Sequence, residues 1–117
     1  MCTNKFENLS RSLLRQLGLE SRFKAIAGRD TLSVFKPAPG HLIGTIEMAG
    51  GRPDRAVMVG DSEIDFATAM AAGIPAIGVT FGYTPHPVRE LAPELGVGAV
   101  IDHYREFMPA LEQVLAR

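Results

Sequence analysis

The feature that most constrains the fold is the apolar run RAVMVG at residues 55–60, which Asp61 follows directly. A continuous apolar run with β-branched valines is typical of a strand that is buried on both faces of a parallel sheet. The runs AIGVT (76–80) and GAVID (98–102) repeat the pattern, and KAIAG (24–28) is a shorter run that ends at a glycine. Segments with helical patterns separate these runs. The sequence therefore predicts an α/β, Rossmann-like fold, in which helices cover both faces of a parallel sheet.

Helical patterns fill the segments between the predicted strands. Four apolar residues recur at spacings of three and four, which indicates an amphipathic helix over residues 4–17; they are Phe6, Leu9, Leu13 and Leu17. Further helices are predicted over residues 41–49, 62–72, 88–95 and 105–117, the last with Phe107, Leu111 and Leu115 on one side. Residues 29–40 are predicted to form a loop, because Pro37 and Pro39 disfavour a helix before them.

The composition is that of a soluble protein with one domain, which we expect to span residues 1–117. No apolar run approaches the roughly 18 residues that cross a bilayer. The net charge of −1 and the isoelectric point near 6.3 provide no basic face for nucleic acid or for a membrane surface. The start of the chain is too polar for a signal peptide, and the lone Cys2 suits a reducing compartment. We therefore expect a cytoplasmic protein without nucleic-acid or membrane partners.

Polar side chains gather where the predicted strands end. In open α/β sheets ligands bind at the carboxyl ends of the strands. The polar residues at or near these ends, or in the loops beside them, are Thr3, Asn4, Lys36, Asp61, Asp65 and Thr80. Lysine supplies a point charge to phosphate oxygens, threonine and backbone N–H groups donate hydrogen bonds to them, and aspartates supply the hard oxygens that Mg²⁺ prefers. The pattern predicts a site for a phosphate group and a divalent cation.

Three short motifs resemble those of a known family in order and spacing. CTNK (2–5), KPAP (36–39) and GDSEID (60–65) resemble the second, third and fourth motifs of the haloacid dehalogenase-like phosphohydrolases. The stretches FGYTPHPV (81–88) and VIDHYREF (100–107) resemble the phosphoglycolate phosphatases within that family. The likeness covers nearly the whole chain. It implies Mg²⁺-dependent hydrolysis of a small phosphorylated metabolite, with 2-phosphoglycolate as the expected substrate and an aspartyl-phosphate as the intermediate of the full-length enzyme.

The resemblance also implies a role for each motif residue. Asp61 is expected to bind Mg²⁺ directly, and Asp65 to complete or support the metal site. Thr3, together with the backbone of Asn4, is expected to hold the phosphoryl group that is transferred. Lys36 is expected to neutralise charge between that group and the nucleophile, so Lys36 and Thr3 are the catalytic residues that this chain contributes.

One family motif is missing from the sequence. These enzymes carry a motif of the form DxDGTLxDS at the end of the central first strand, which supplies the nucleophile and the general acid/base, and a cap domain follows it. Neither is found in this sequence. We therefore expect the C-terminal part of a catalytic domain, inactive alone, with weak or absent Mg²⁺ binding. The unpaired edge of the strand RAVMVG is expected to favour self-association or domain swapping.

Two explanations of the missing motif stay open. The chain is either a truncated product of a full-length phosphatase gene, or a non-catalytic fragment that binds or complements a partner chain. A phosphoacceptor receiver domain is disfavoured, because its acidic residues precede its threonine and lysine, whereas here Thr3 and Lys36 precede Asp61.

Each site residue also has a plainer interpretation. Asp61 and Asp65 could cap the helix that follows them, because acidic residues are favourable at a helix N-terminus. Lys36 could be a solvated surface lysine, and Thr3 with Asn4 could cap the first helix. The histidines are scattered without ligand spacing, so no shared metal site is predicted for them; they are His41, His86 and His103.

Overall fold

The computed structural model describes residues 1–116, which divide into two compact units, Met1–Pro53 and the residues from Asp54 onward. The helices are α1 (Glu7–Gln16), α2 (Pro39–Met48), α3 (Glu63–Ala72), α4 (Val88–Leu91) and α5 (Phe107–Leu115), and the strands are β1 (Met58–Gly60), β2 (Ala76–Val79) and β3 (Ala99–Ile101). Short 3₁₀ turns occupy Glu20–Arg22, Pro53–Arg55 and Tyr104–Glu106. No helix within residues 1–116 is long and apolar enough to span a membrane.

The second unit contains a parallel sheet of three strands in the order β1-β2-β3. The register pairs Gly60 with Gly78 and Val79 with Ile101, so the carboxyl ends of the three strands lie at the same end of the sheet. The three runs that predict these strands are therefore confirmed, with each strand shorter than its apolar run. Within the part of the chain that the structure describes, β1 pairs with β2 alone and leaves its other edge open.

Helices cover both faces of this sheet, as the apolar runs predict. Successive residues of a strand point to opposite faces. In β2, Ile77 packs with Ala110 and Val114 of α5, whereas a side chain at the neighbouring Gly78 would meet Phe66 of α3. The α/β fold class is therefore confirmed in the second unit.

The ends of α3 follow from its sequence, whereas α5 departs from the prediction. Ser62 precedes α3 in an extended conformation, and Gly73 ends the helix with a φ of 69°, a left-handed conformation that glycine adopts without a steric penalty. The last helix is shorter than the predicted 105–117, and Arg117 lies outside the described residues. Its most buried residues are Ala110 and Val114, while Leu115 of the predicted face is 52% exposed.

Helix α2 begins at Pro39, inside the predicted loop, because proline is tolerated in the first turn of a helix. The first unit contains α1, α2 and a short buried segment between them. Its buried apolar residues are Leu14, Ala25, Ile26, Ala27 and Leu42. The prediction of a strand at 24–28 is wrong, because this segment makes only one parallel bridge, from Cys2 to Ala27. Around this bridge, the Ala27 N–H donates to the Met1 carbonyl at 2.9 Å and the Thr3 N–H donates to the Ala27 carbonyl at 3.0 Å.

Helix α1 buries a different face from the one that its apolar stripe indicates. The four stripe residues are between 47% and 61% exposed; they are Phe6, Leu9, Leu13 and Leu17. The buried residues are Ser10 and Leu14. The Ser10 hydroxyl donates a 3.0 Å hydrogen bond to the Phe6 carbonyl, which satisfies its polar group on the buried side. The periodicity thus predicts the helix but not its orientation in this unit.

Candidate functional site

The backbone of Lys36 is held at both of its polar groups by one side chain. The Asn4 amide donates to the Lys36 carbonyl at 2.9 Å, and its oxygen accepts the Lys36 N–H at 3.0 Å. The same Lys36 N–H also points to Nδ1 of His41, 3.0 Å away. Residues of the second and third motifs are therefore joined directly within the first unit, and the loop position of Lys36 is fixed by hydrogen bonds rather than by regular secondary structure.

His41 is a functional candidate that the sequence analysis missed. Its ring is fully buried, and Nε2 lies 3.3 Å from the Ala27 carbonyl. Because Nδ1 accepts a hydrogen bond from Lys36, the proton of a neutral ring belongs on Nε2, which then donates to Ala27. Burial lowers the pKa of His41 below its ordinary value of 6.5, and the charge of Lys36 lowers it further, against the raising effect of the Ala27 and Gly28 carbonyls. The signal available in the sequence was the position of His41, five residues after Lys36.

Thr3 is held by the same carbonyl that His41 approaches. Its N–H donates to Ala27 at 3.0 Å, and its hydroxyl oxygen accepts the N–H of Lys5 at 3.1 Å. The interpretation of Thr3 and Asn4 as caps of the first helix is wrong. The helix begins at Glu7, whose N–H donates to the Asp30 carboxylate at 2.9 Å.

In the second unit, Asp61 follows β1 directly and Asp65 lies in the first turn of α3. Asp61 is partly buried and accepts the backbone N–H of Tyr83 at 2.8 Å. Asp65 is only 7% exposed; one of its oxygens accepts the Asp61 N–H and the Ser62 hydroxyl, both at 3.1 Å. Asp65 therefore organises the turn into α3, and the same bonds hold the Asp61 backbone at the end of the strand. The interpretation of Asp61 as a cap of this helix is wrong, because the N-cap residue is Ser62 and the Asp61 carboxylate accepts the N–H of Tyr83.

Two glycines allow the aspartates to occupy these positions. A Cβ atom on Gly60 would overlap the carboxylate of Asp65, and one on Gly82 would overlap the carboxylate of Asp61. Gly60 belongs to the fourth motif, whereas Gly82 belongs to the loop after β2 and was missed by the sequence analysis. Any side chain at either position would displace a carboxylate or the backbone that holds it.

The two carboxylates fit the chemistry of a magnesium ion. Mg²⁺ prefers oxygen ligands, and proteins commonly hold it with one or two carboxylates plus water and substrate phosphate. The Asp61 N–H donates to the Asp65 carboxylate and links the two residues at the carboxyl end of β1. Within residues 1–116 no group of three or more histidine, cysteine or acidic side chains is placed to hold a metal. A Mg²⁺ ion here would rely on these carboxylates, water and a phosphate group.

A second polar group lies where β2 and β3 end. The Thr80 hydroxyl donates to Asp102 at 2.7 Å, and Arg89 forms a 2.6 Å ion pair with the other oxygen of the same carboxylate. The hydrogen bond from Thr80 contributes most to lowering the pKa of Asp102 below its ordinary 3.8, and the hydrogen bond from Arg89 lowers it further. Thr80, Arg89 and Asp102 line an open cavity of about 470 Å³ together with Gly82. Thr80 thus lies at the carboxyl end of β2, as predicted, and its hydroxyl is used in a hydrogen bond to Asp102.

Comparisons with known proteins agree with the motifs. The family model described as haloacid dehalogenase-like hydrolase matches residues 1–79. A phosphoglycolate phosphatase from Mesorhizobium japonicum is 50% identical over all 117 residues, and one from Agrobacterium fabrum is 48% identical over 115 residues. The chain spans 50% and 48% of the lengths of these two relatives.

A solved structure has the same fold as the chain. A structure described as a predicted phosphoglycolate phosphatase from Haemophilus somnus superposes with a TM-score of 0.80 at 26% identity, covering 92% of this chain and 47% of that one. The family match extends over more than half of the chain and contains all three motifs. The chain belongs to the haloacid dehalogenase-like hydrolases.

Proposed function

We propose that this chain supplies the phosphate-binding and magnesium-binding residues of a phosphatase that hydrolyses a small phosphorylated metabolite, with 2-phosphoglycolate as the first candidate. The observation that carries the proposal is the 50% identity, over the whole chain, to a protein named phosphoglycolate phosphatase. The hydrogen bonds that fix the Lys36 backbone and the Asp61–Asp65 turn support it, because catalysis of phosphoryl transfer depends on positioned charges.

Each unit supplies a different part of the chemistry. In the first unit, the Lys36 ammonium offsets the negative charge of the phosphoryl group, and the Thr3 hydroxyl and the backbone N–H of Asn4 donate hydrogen bonds to its oxygens. In the second unit, Asp61 and Asp65 would hold Mg²⁺. When bound, Mg²⁺ would offset phosphate charge and orient the phosphate oxygens. In the whole enzyme the attack on phosphorus would form an aspartyl-phosphate on the missing first motif.

The chain by itself is proposed to be inactive. No DxDGTLxDS sequence is present among its 117 residues, so no carboxylate of the first motif is available to attack phosphorus or to protonate the leaving group. Mg²⁺ should bind weakly for the same reason. We place the chain in the C-terminal portion of a single catalytic core domain, and in the cytoplasm.

A second candidate is a fragment that complements a partner chain, or that associates with itself. The open edge of β1 favours it, because Val59 in the middle of this strand is 42% exposed and unpaired backbone groups recruit a further strand. Sedimentation velocity at several concentrations tests self-association. A monomer at every concentration would count against pairing through this edge.

The decisive experiment is reconstitution. The chain is mixed or co-expressed with a separate polypeptide that carries DxDGTLxDS and a cap, and phosphate release from 2-phosphoglycolate is measured with and without Mg²⁺. We expect no turnover by either polypeptide alone and Mg²⁺-dependent turnover by the pair, abolished by EDTA. Mg²⁺-dependent turnover by the purified chain alone would contradict the inactive-chain proposal, and failure of the pair to form or to act would contradict complementation.

Matched variants test the assigned roles in the reconstituted pair. Lys36→Met and Asp61→Asn should each lower turnover by about a hundredfold or more, the usual effect of losing a positioned electrostatic group. Lys24→Met and Glu63→Gln change exposed residues of the same charge and should leave turnover unchanged. If the control variants lower turnover as much as the site variants do, the proposed roles of Lys36 and Asp61 are wrong.

A further inference from the structure

We propose that His41 is a positioning residue for Lys36, and that its neutral imidazole links the backbone at Thr3 to the backbone at Lys36. The inference rests on the proposed function, because it concerns how the phosphate-binding residues of the first unit are held. His41 itself is buried and is not expected to touch phosphate.

The link is a continuous chain of hydrogen bonds through one buried ring. The Ala27 carbonyl accepts the N–H of Thr3 at 3.0 Å and faces Nε2 of His41 at 3.3 Å. On the other side of the ring, Nδ1 accepts the N–H of Lys36 at 3.0 Å. A shift of the ring would therefore disturb the positions of Thr3 and Lys36 together.

The ring is itself anchored on α2. The His41 N–H donates to the Ala38 carbonyl at 3.1 Å, and the His41 carbonyl accepts the hydroxyl of the buried Thr45 at 2.6 Å. Pro39 stands at the start of the helix, where its missing N–H costs no helical hydrogen bond. The helix thus begins in the lysine loop itself, and its first turn presents the ring to the loop.

This arrangement requires one state of the imidazole. Nδ1 must carry a lone pair to accept from Lys36, and Nε2 must carry the proton to donate to Ala27. A protonated ring would present a second N–H group to the Lys36 N–H and break the link. The burial that lowers the pKa of His41 favours the neutral form, and Lys36 is the charged side chain that acts in the same direction.

Nuclear magnetic resonance of the chain tests the geometry without any need for turnover. In the wild-type chain near pH 7.5, the ¹⁵N shifts of His41 should show a protonated Nε2 and an unprotonated Nδ1, and the Lys36 amide should be protected from hydrogen exchange. A ring protonated on Nδ1, or a Lys36 amide that exchanges like an exposed one, would overturn the proposal.

Three variants separate the link from general packing. His41→Asn keeps an oxygen near the position of Nδ1, whereas His41→Gln places its polar group near Nε2 and His41→Leu has none. We expect His41→Asn to retain protection of the Lys36 amide, and the other two to lose about tenfold, the change that accompanies loss of one hydrogen bond. Amides of α3, in the second unit, serve as the control for folding.

Titration with inorganic phosphate connects the link to the proposed function. The dissociation constant of phosphate should change little in His41→Asn and rise about tenfold in His41→Gln, as expected when a positioned charge is lost from its place. If the Gln variant loses amide protection yet binds phosphate as the wild type does, positioning of a phosphate ligand by His41 is wrong. If the wild-type chain binds no phosphate while the tautomer and the protection are as expected, the role of Lys36 in the proposed function fails and the link itself is confirmed.

Discussion

The two units hold their candidate site residues by opposite means. In the first unit, other side chains fix the backbone of Lys36: Asn4 binds both of its polar groups and His41 accepts its N–H. In the second unit, the candidate side chains themselves fix the backbone, since Asp65 accepts the N–H of Asp61 and Asp61 accepts that of Tyr83.

Because of this difference, proposed ligand binding and stability depend on different side chains in the first unit and on the same side chain in the second unit. Removal of the Lys36 side chain leaves its backbone hydrogen bonds in place, so the loop should persist without its charge. Removal of the Asp65 carboxylate takes away both a candidate metal ligand and two hydrogen bonds of the turn into α3. A carboxylate that organises the fold therefore cannot be assigned to metal binding from a loss of activity alone.

The largest expected effect is that of Asp65→Ala. The variant leaves the Asp61 N–H and the Ser62 hydroxyl without their charged acceptor, so the free energy of unfolding should fall by about 2–3 kcal/mol. Urea unfolding followed by circular dichroism measures it. Glu63→Ala, an exposed acidic residue of the same helical turn, is the control and should change stability by less than about 0.5 kcal/mol. Equal losses would mean that Asp65 does not organise this turn.

A smaller effect is expected for Asn4→Ala, which removes the two hydrogen bonds to the Lys36 backbone. The free energy of unfolding should fall by about 1–2 kcal/mol, and the Lys36 amide should lose protection from hydrogen exchange. Lys36→Met should keep that protection and lose affinity for inorganic phosphate. Asn8→Ala, at an exposed position of α1, is the control. The comparison between the units breaks down if Lys36→Met exposes the amide as Asn4→Ala does.

The smallest expected effect is a pH dependence that arises in the first unit. The pKa of buried His41 is lowered in the folded chain, so below about pH 6.5 the unfolded chain binds more protons and the free energy of unfolding decreases as pH falls. His41→Asn should flatten the dependence between pH 6.5 and 5 in urea unfolding. The lowered pKa values of Glu7 and Glu20 act at lower pH, below their ordinary 4.5. If the free energy of unfolding of His41→Asn depends on pH as steeply as that of the wild type, groups other than His41 cause the dependence.

The sequence alone predicted the elements whose signals are local. RAVMVG, AIGVT and GAVID are apolar enough to specify buried strands, and Gly73 marks the end of α3 because it adopts a left-handed conformation there. The motifs also identified Lys36 and Asp61 as candidates. The predicted strand at 24–28 is reduced to a single bridge between Cys2 and Ala27, because pairing depends on how a distant segment packs against the run and not on the run itself.

The sequence by itself determined the fold class, the family and the identity of the candidate residues, because periodicity and motif order are properties of neighbouring positions. Only the tertiary structure decided which face of α1 is buried, that Asn4 binds the Lys36 backbone, that His41 accepts its N–H, and that Gly82 makes room for Asp61. Each of these contacts depends on how separate segments pack. A hydrogen bond across 32 residues, such as that from Asn4 to Lys36, leaves no periodic signal in the sequence.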